Sequence, residues 1–490
     1  MASDDPNRPN ILFVLTDDQG PWAMGCAGND EIQTPVLDRL AAEGTRLESF
    51  FCASPVCSPA RASLLTGQVP SAHGVHDYLR GTHVGATATD YLAGQTLVTD
   101  VLAEHGYRLG LSGKWHLGAN DRPRAGFVHW YSHEAGGSAY HDAPMYRDGI
   151  REATPGYLTD ALADDAVGFV REAAQPDQPD PFFLSLNFTA PHSPWAGQHP
   201  PEVEALYDDC TFASCPQGER HPWATMANGS PLGGEPDTRA ALVGYFAAVT
   251  AMDAALGRVV AELERLGLRE STVIVFSSDN GFNAGHHGIW GKGNGTWPLN
   301  LYDSSVKVPA IVSQPGRVAA GVVRTELLSA YDLAATLLEL VGLDPSPMQT
   351  GPGRSFAPLL LTPTDAGADA EVPAAGGAER VVVFDEYGPA RMIRSRDWKF
   401  VHRWPDGPHE LYHLAADPGE RVNLVDDPAA QEVRRGLADD LATWFARHVV
   451  PERDGEQLPV IGTGQAERAG EPDAFQGPLW DAVAGAPTPR

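Results

Sequence analysis

The chain has 490 residues, 42% of them hydrophobic, and a formal net charge of −29. That apolar content supplies a large core, and the length accommodates one large and one small domain. The acidic balance argues against nucleic acid or an anionic membrane as partner, and no stretch approaches the ~18 apolar residues of a membrane span.

Met1 to Pro9 is polar and acidic, and the apolar run Ile11 to Leu15 is too short for a signal-peptide core, so a cytoplasmic location is expected. Apolar segments rich in Val, Ile, Leu and Phe then recur with amphipathic stretches between them. This is the rhythm of a buried, mostly parallel sheet flanked by helices, an α/β fold. The predicted strands are Asn10 to Thr16, Tyr107 to Ser112, Phe182 to Asn187, Thr272 to Ser277 and Val308 to Ser313. Thr34 as cap and Pro35 at the first position predict a helix with Leu37, Leu40 and Ala41 on one face, ending at Gly44. A longer helix is predicted from Arg239 to Leu266, where Tyr245, Val249, Met252, Leu256, Val259 and Leu263 form a core-facing stripe that reads as packing only.

Residues 362–379, rich in Ala, Gly, Pro, Asp and Thr, read as a linker between a catalytic domain (1–361) and a smaller α+β domain (380–490). The latter has short strands at Val381 to Phe384, Arg391 to Ser395, Trp398 to Trp404 and Glu410 to His413, which predict an antiparallel sheet. A helix from about Ala429 to Val449 would cover it, and the remainder reads as an extended tail. The five cysteines, Cys26, Cys52, Cys57, Cys210 and Cys215, have the spacing of neither a disulfide framework nor a zinc site, and free thiols are expected.

The run Cys57-Ser58-Pro59-Ala60-Arg61-Ala62-Ser63-Leu64-Leu65-Thr66-Gly67 predicts a short helix carrying the cysteine in its first turn. Backbone N–H groups at such a terminus favour an anion. An acidic protein that takes an anionic substrate must reverse its field locally, with a metal ion and clustered cations.

Both can be found. Strand Asn10 to Thr16 ends in Asp17-Asp18, and strand Thr272 to Ser277 ends in Ser278-Asp279-Asn280-Gly281. In open α/β sheets ligands bind at the carboxyl ends of strands, so the two acidic pairs can meet there. Their oxygens suit a hard cation such as calcium or magnesium better than zinc. The cations follow the same topology: Lys114 and His116 lie past one strand, His192 past another, and Lys292 in the loop after Asp279, with His287 a weaker candidate in that loop.

The Cys-x-Pro-x-Arg pattern followed by Ala-Ser-Leu-Leu-Thr-Gly resembles the signature of type I sulfatases, in the alkaline phosphatase-like superfamily. The resemblance spans roughly Arg8 to Val341, and Glu410 to Leu414 with Asp417-Pro418-Gly419-Glu420 looks like the family's small domain. It implies that a maturation enzyme converts Cys57 to formylglycine, and that Asp17, Asp18, Asp279, Asn280 and the oxygen at position 57 hold the divalent cation, calcium before magnesium or manganese. It further implies that Arg61 and Lys114 fix the formylglycine, that His116 is a base toward its second hydroxyl, and that Lys114, His192 and Lys292 grip the sulfate. His192 or Lys292 would protonate the leaving oxygen. The reaction implied is hydrolysis of a sulfate monoester through an aldehyde hydrate, whose second hydroxyl lets sulfate depart.

Three rivals have stated grounds. An activated thiolate is disfavoured because phosphatase-type loops place the arginine six positions after the cysteine, whereas Arg61 is four after Cys57. Hydrolysis of phosphonate or phosphate esters would use the same site, and a non-catalytic binding protein would keep Cys57 unmodified. Phe127, His129, Trp130, Tyr131, His133, Tyr140, His141, Tyr146, Trp195, Trp290 and Trp297 could stack on sugar rings, and His73, His76, Asp77 and Arg80 could line the pocket's mouth. A carbohydrate sulfate is therefore the expected substrate.

Overall fold

The computed structural model describes residues 8–81, 83–225, 235–361, 380–385 and 388–475. Its centre is a ten-stranded sheet whose order is Val322–Arg324, Thr45–Leu47, Ala310–Ser313, Thr272–Ser278, Asn10–Thr16, Phe182–Asn187, Arg108–Gly113, Phe127–His133, Pro144–Arg147, Ile150–Ala153. The five strands from Thr272–Ser278 to Phe127–His133 run parallel. Ala310–Ser313 joins antiparallel on one side, and Pro144–Arg147 with Ile150–Ala153 extends the other as an antiparallel hairpin, so the sheet is mixed.

Every residue of Asn10–Thr16 is buried because both sheet faces are covered. Ile11, Phe13 and Leu15 point into one core with Ala62, Leu64 and Leu65 of the helix Cys57–Thr66 and Leu337 of the helix Leu333–Leu340. Leu12 and Val14 point into the other, beneath the helices Pro35–Ala42, Leu158–Ala173 and Glu235–Arg265. The stripe from Tyr245 to Leu263 is fully buried there. By length and composition this long helix could cross a membrane, but most of its apolar stretch is enclosed in the protein.

One expected detail differs. The Thr34 side chain does not cap the helix Pro35–Ala42; its hydroxyl accepts from Gly25 N–H and bonds Asp38. The first-turn N–H groups of Val36 and Leu37 donate instead to Asp253 of the long helix, at 3.0 and 2.8 Å. A buried carboxylate from a packed neighbour has taken the role that a local hydroxyl was expected to fill.

Val381–Asp385, Ala390–Arg394, Trp398–Arg403 and Glu410–His413 form an antiparallel sheet, and the helix Gln431–His448 packs Leu437, Leu441 and Phe445 on one face. Residues 362–379, read as the linker, lie outside the described residues. The chain after residue 450 returns to the large sheet's side, where Leu79 and Gln465 form a parallel bridge. All five cysteines are free thiols, Cys210 and Cys215 included.

Candidate active site

Asp17-Asp18, Asp279-Asn280, Lys114 and His116, and His192 follow the carboxyl ends of four adjacent parallel strands. The helix Cys57–Thr66 brings residue 57 to the same edge, with Cys57 its first residue and Gly67, at φ 66°, closing it by a bond to the Ser63 carbonyl. Glycine is needed there because the left-handed conformation crowds a Cβ.

These residues converge. Ligand atoms of Asp17, Asp18, Cys57 and Asp279 all lie within 4.8 Å of one another, and all four residues are buried. Cys57 Sγ donates to Asp17 Oδ1 at 3.3 Å and accepts from Lys292 Nζ at 2.9 Å. Lys292 also donates to Asp18 Oδ1 at 2.5 Å, and Lys114 Nζ donates to Asp17 Oδ2. Arg61 donates through Nε to Asp279 Oδ2 and through Nη1 to the Lys114 carbonyl, each at 2.9 Å, tying the cysteine's helix to two strand ends. Asn280 Nδ2 donates to Asp18 Oδ1 at 2.7 Å, and Asn280 Oδ1 is buried without a hydrogen-bond partner. His192 Nε2 stands 3.8 Å from Asp18 Oδ2, its Nδ1 bonded to the Ser193 carbonyl at 2.7 Å.

Two of these side chains hang from unusual backbone: Asp18 has φ 63° and His116 φ 56°. Few non-glycine residues adopt this conformation, and it persists where surroundings over-determine it. For Asp18 those surroundings include Tyr245, whose hydroxyl donates to the Asp18 carbonyl at 2.8 Å and accepts from Gly20 N–H at 3.0 Å. The stripe residue read as packing thus also clamps the site.

Burial is the largest influence on Asp17, Cys57, Arg61, His116, Asp279 and Lys292. It would raise the Asp17 carboxyl, but Lys114, His192, Arg61 and Lys292 override it and hold Asp17 well below the usual carboxylate range. Asp279 is raised by burial and then by Asp17. The Cys57 thiol is pushed up to about 12 by burial and by Asp17. As encoded, it is therefore a neutral thiol and not the activated thiolate of the first rival. Burial, with Lys114 and Arg61, holds His116 well below the ordinary imidazole range, so it stays neutral.

Other expectations are corrected. His287 stacks on Tyr302, ring centroids 3.9 Å apart, in a turn where Gly285, His287 and Gly288 all have positive φ, and it is not among the residues whose ligand atoms cluster. Phe127, Trp130, Tyr131, His133, Tyr140, Trp195 and Trp290 are buried, so most of the expected sugar-stacking surface is core. His129 bonds Asp165 at 2.8 Å; Tyr146 and Trp297 are half-buried, and His141 is exposed. His73, His76 and Asp77 are buried as well. Asp77 accepts from Gly464 N–H at 2.8 Å and Arg80 donates to the Gly464 carbonyl at 3.0 Å, so this segment holds the returning tail.

Several supports escaped the sequence reading. Asn187 Nδ2 donates to the Lys114 carbonyl, and Asn300 Nδ2 to the Lys292 carbonyl, both at 2.9 Å. At Gly113, φ 116°, a Cβ would fall 1.9 Å from the Asn187 carbonyl oxygen, which excludes any side chain just before Lys114. Only the strand-to-loop position of Asn187 and the glycine in Gly113-Lys114 hinted at these roles.

Residues 9–343 match the family model described as Sulfatase. The chain belongs to the sulfatase family. Residues 285–446 also match the model described as N-sulphoglucosamine sulphohydrolase, C-terminal. This sulfatase is 28% identical to the N-acetylglucosamine-6-O-sulfatase of Bacteroides thetaiotaomicron, covering 86% of this chain and 83% of that one. It is 30% identical to the ulvan-active sulfatase of Formosa agariphila, covering 89% and 80% respectively. A solved structure of a protein in complex with its substrate D-glucosamine-2-N,6-O-disulfate shares the fold, with a TM-score of 0.75 at 23% identity over 92% of this chain and 99% of that one.

Proposed function

We propose that this sulfatase hydrolyses sulfate monoesters of a carbohydrate, with residue 57 matured to formylglycine by a separate enzyme and with one divalent cation, calcium by preference. One observation carries the reading: the Cys57 sulfur sits inside the carboxylate cluster of Asp17, Asp18 and Asp279 while the Lys292 ammonium reaches it at 2.9 Å. The similar N-acetylglucosamine-6-O-sulfatase and ulvan-active sulfatase favour a saccharide.

The donor set fits the cation. Three buried carboxylates and the orphaned Asn280 Oδ1 make an all-oxygen shell of the kind hard cations take. Asp17, Asp18, Asp279 and Asn280 would hold it, and bound there it supplies Lewis-acid polarisation and charge neutralisation. Formylglycine supplies, as its hydrate, a nucleophilic hydroxyl and a second hydroxyl for product release.

The remaining work falls to the chain's own side chains. Arg61 locks the helix so that residue 57 faces the cluster. Lys114 and Lys292, anchored on Asp17 and Asp18, set positive charge where sulfuryl oxygens gather it. The His192 side chain is 22% exposed and its Nδ1–H is committed to the Ser193 carbonyl, so Nε2 is the atom that delivers a proton to the leaving alcohol. His116 Nε2 donates to the Leu79 carbonyl at 3.3 Å, which leaves the buried Nδ1 with its lone pair to take the proton of the second hydroxyl.

The test is turnover on matched substrates: an aryl sulfate, a phosphate monoester, a phosphate diester, a phosphonate monoester and a panel of defined sulfated sugars. The expected result is the highest kcat/KM on a sulfated sugar. Sulfate release from aryl esters alone, or faster hydrolysis of the phosphonate, would overturn it.

A further inference from the structure

We infer that residues 134–139 form a roof that sets the ring positions of His116 and His192, with Gly136 and Gly137 as its contact points. This rests on the roles given above to those two histidines. A Cβ on Gly136 would stand 2.5 Å from His116 Cε1 and 2.7 Å from its Nε2, and a Cβ on Gly137 would stand 3.1 Å from His192 Cε1. Neither glycine adopts a positive φ, so the backbone does not demand glycine at either place. What a side chain would meet is the two imidazoles.

The roof is built to stay in position. The His133 ring is buried and bonds Ala135 through Nδ1, 3.0 Å to its N–H and 2.8 Å to its carbonyl, and Ser138 Oγ through Nε2 at 2.9 Å, so the turn is latched in either tautomer. Asn120 Nδ2 donates to the Glu134 carbonyl at 2.9 Å where the turn begins. Where it ends, the Tyr140 hydroxyl donates to the carbonyl of His192 itself at 2.7 Å. One short loop therefore touches the ring of the proton acceptor, the ring of the proton donor and the donor's backbone. Small displacements of such groups are costly to rate, up to about 10²-fold for 1 Å.

The two glycines face different histidines, so their replacements slow different steps. Gly136→Ala displaces His116 and slows sulfate release: one equivalent of alcohol appears in a burst, followed by a steady state about tenfold to 10²-fold below wild type and indifferent to the leaving group. Gly137→Ala, the milder contact, displaces His192: the loss is small with a good leaving group and grows at least about tenfold with a poor one. Gly168→Ala, on an exposed helical face with nothing within 4 Å, keeps wild-type kinetics. Thermal midpoints are measured alongside, and Ser138→Ala, which opens the latch without adding bulk, carries the Gly136 prediction at smaller amplitude should that variant not fold. His116→Ala and His192→Ala serve as references. If they lack the burst and the leaving-group dependence, the assigned roles fail. If they show both, while the glycine variants match wild type or lose rate equally on every substrate without a burst, the roof is refuted.

Discussion

The Lys292 ammonium lies 2.9 Å from the Cys57 sulfur and 2.5 Å from Asp18 Oδ1, bridging the residue to be modified and the acidic cluster. Burial would depress this lysine, but the Asp18 carboxylate, with Asp17 and Asp279, outweighs it and holds it well above the usual range, so it is a fixed positive charge. Lys292→Ala is expected to lower kcat about 10²- to 10³-fold, as loss of one preorganised donor does elsewhere. Lys292→Arg is not expected to rescue it, because a planar fork does not replace a compact point charge in an enclosed site. Steady-state kinetics decide this, and a kcat within threefold of wild type would refute the role.

Removal of divalent cations should abolish turnover and also loosen the fold. Three carboxylates gathered within 4.8 Å of the Cys57 sulfur repel one another unless cations compensate. A ligand at 100 times its dissociation constant adds about 2.7 kcal/mol to the native state. Dialysis against EGTA is expected to remove activity and lower the thermal midpoint, and added calcium to restore both. Full activity with no bound divalent metal would contradict the cation's part in the account.

Asp253 gives a pH-dependent prediction away from the chemistry. Burial pushes its carboxyl up to about 7, against the lowering effect of the Val36 and Leu37 N–H groups. The unfolded chain ionises it near 3.9. The native state thus binds the proton more tightly, and ionisation costs stability progressively from about pH 4 to pH 7. Asp253→Asn removes that dependence, so the stability of the variant relative to wild type should rise over this interval and level off above it. Denaturant unfolding at a series of pH values measures the difference, and a flat difference would refute the assignment.

The parallel strands and the four cation-type residues beyond them were readable because each signal is local: an apolar run, then a charged residue just after it. Asp17, Asp279, Lys114 and His192 meet because the strands they follow are adjacent in the sheet, and the carboxyl-end rule anticipates that. Tyr245 was read only as packing because periodicity reports which face of a helix is buried and is silent about where a hydroxyl at the end of that face arrives. The aromatic run after Gly126 misled for a related reason. Much of it lies in the strand Phe127–His133, buried from Trp130 onward, and composition alone does not separate a buried aromatic from a stacking platform. Gly136 and Gly137 gave no signal, since their meaning lies in rings some twenty and fifty residues distant in the chain.

The most direct test of the central claim is the mass of the peptide containing residue 57, taken from enzyme of known specific activity. The account predicts formylglycine or its hydrate at that position, in a fraction that rises in proportion to activity across preparations. Fully active enzyme in which residue 57 is cysteine alone would contradict it.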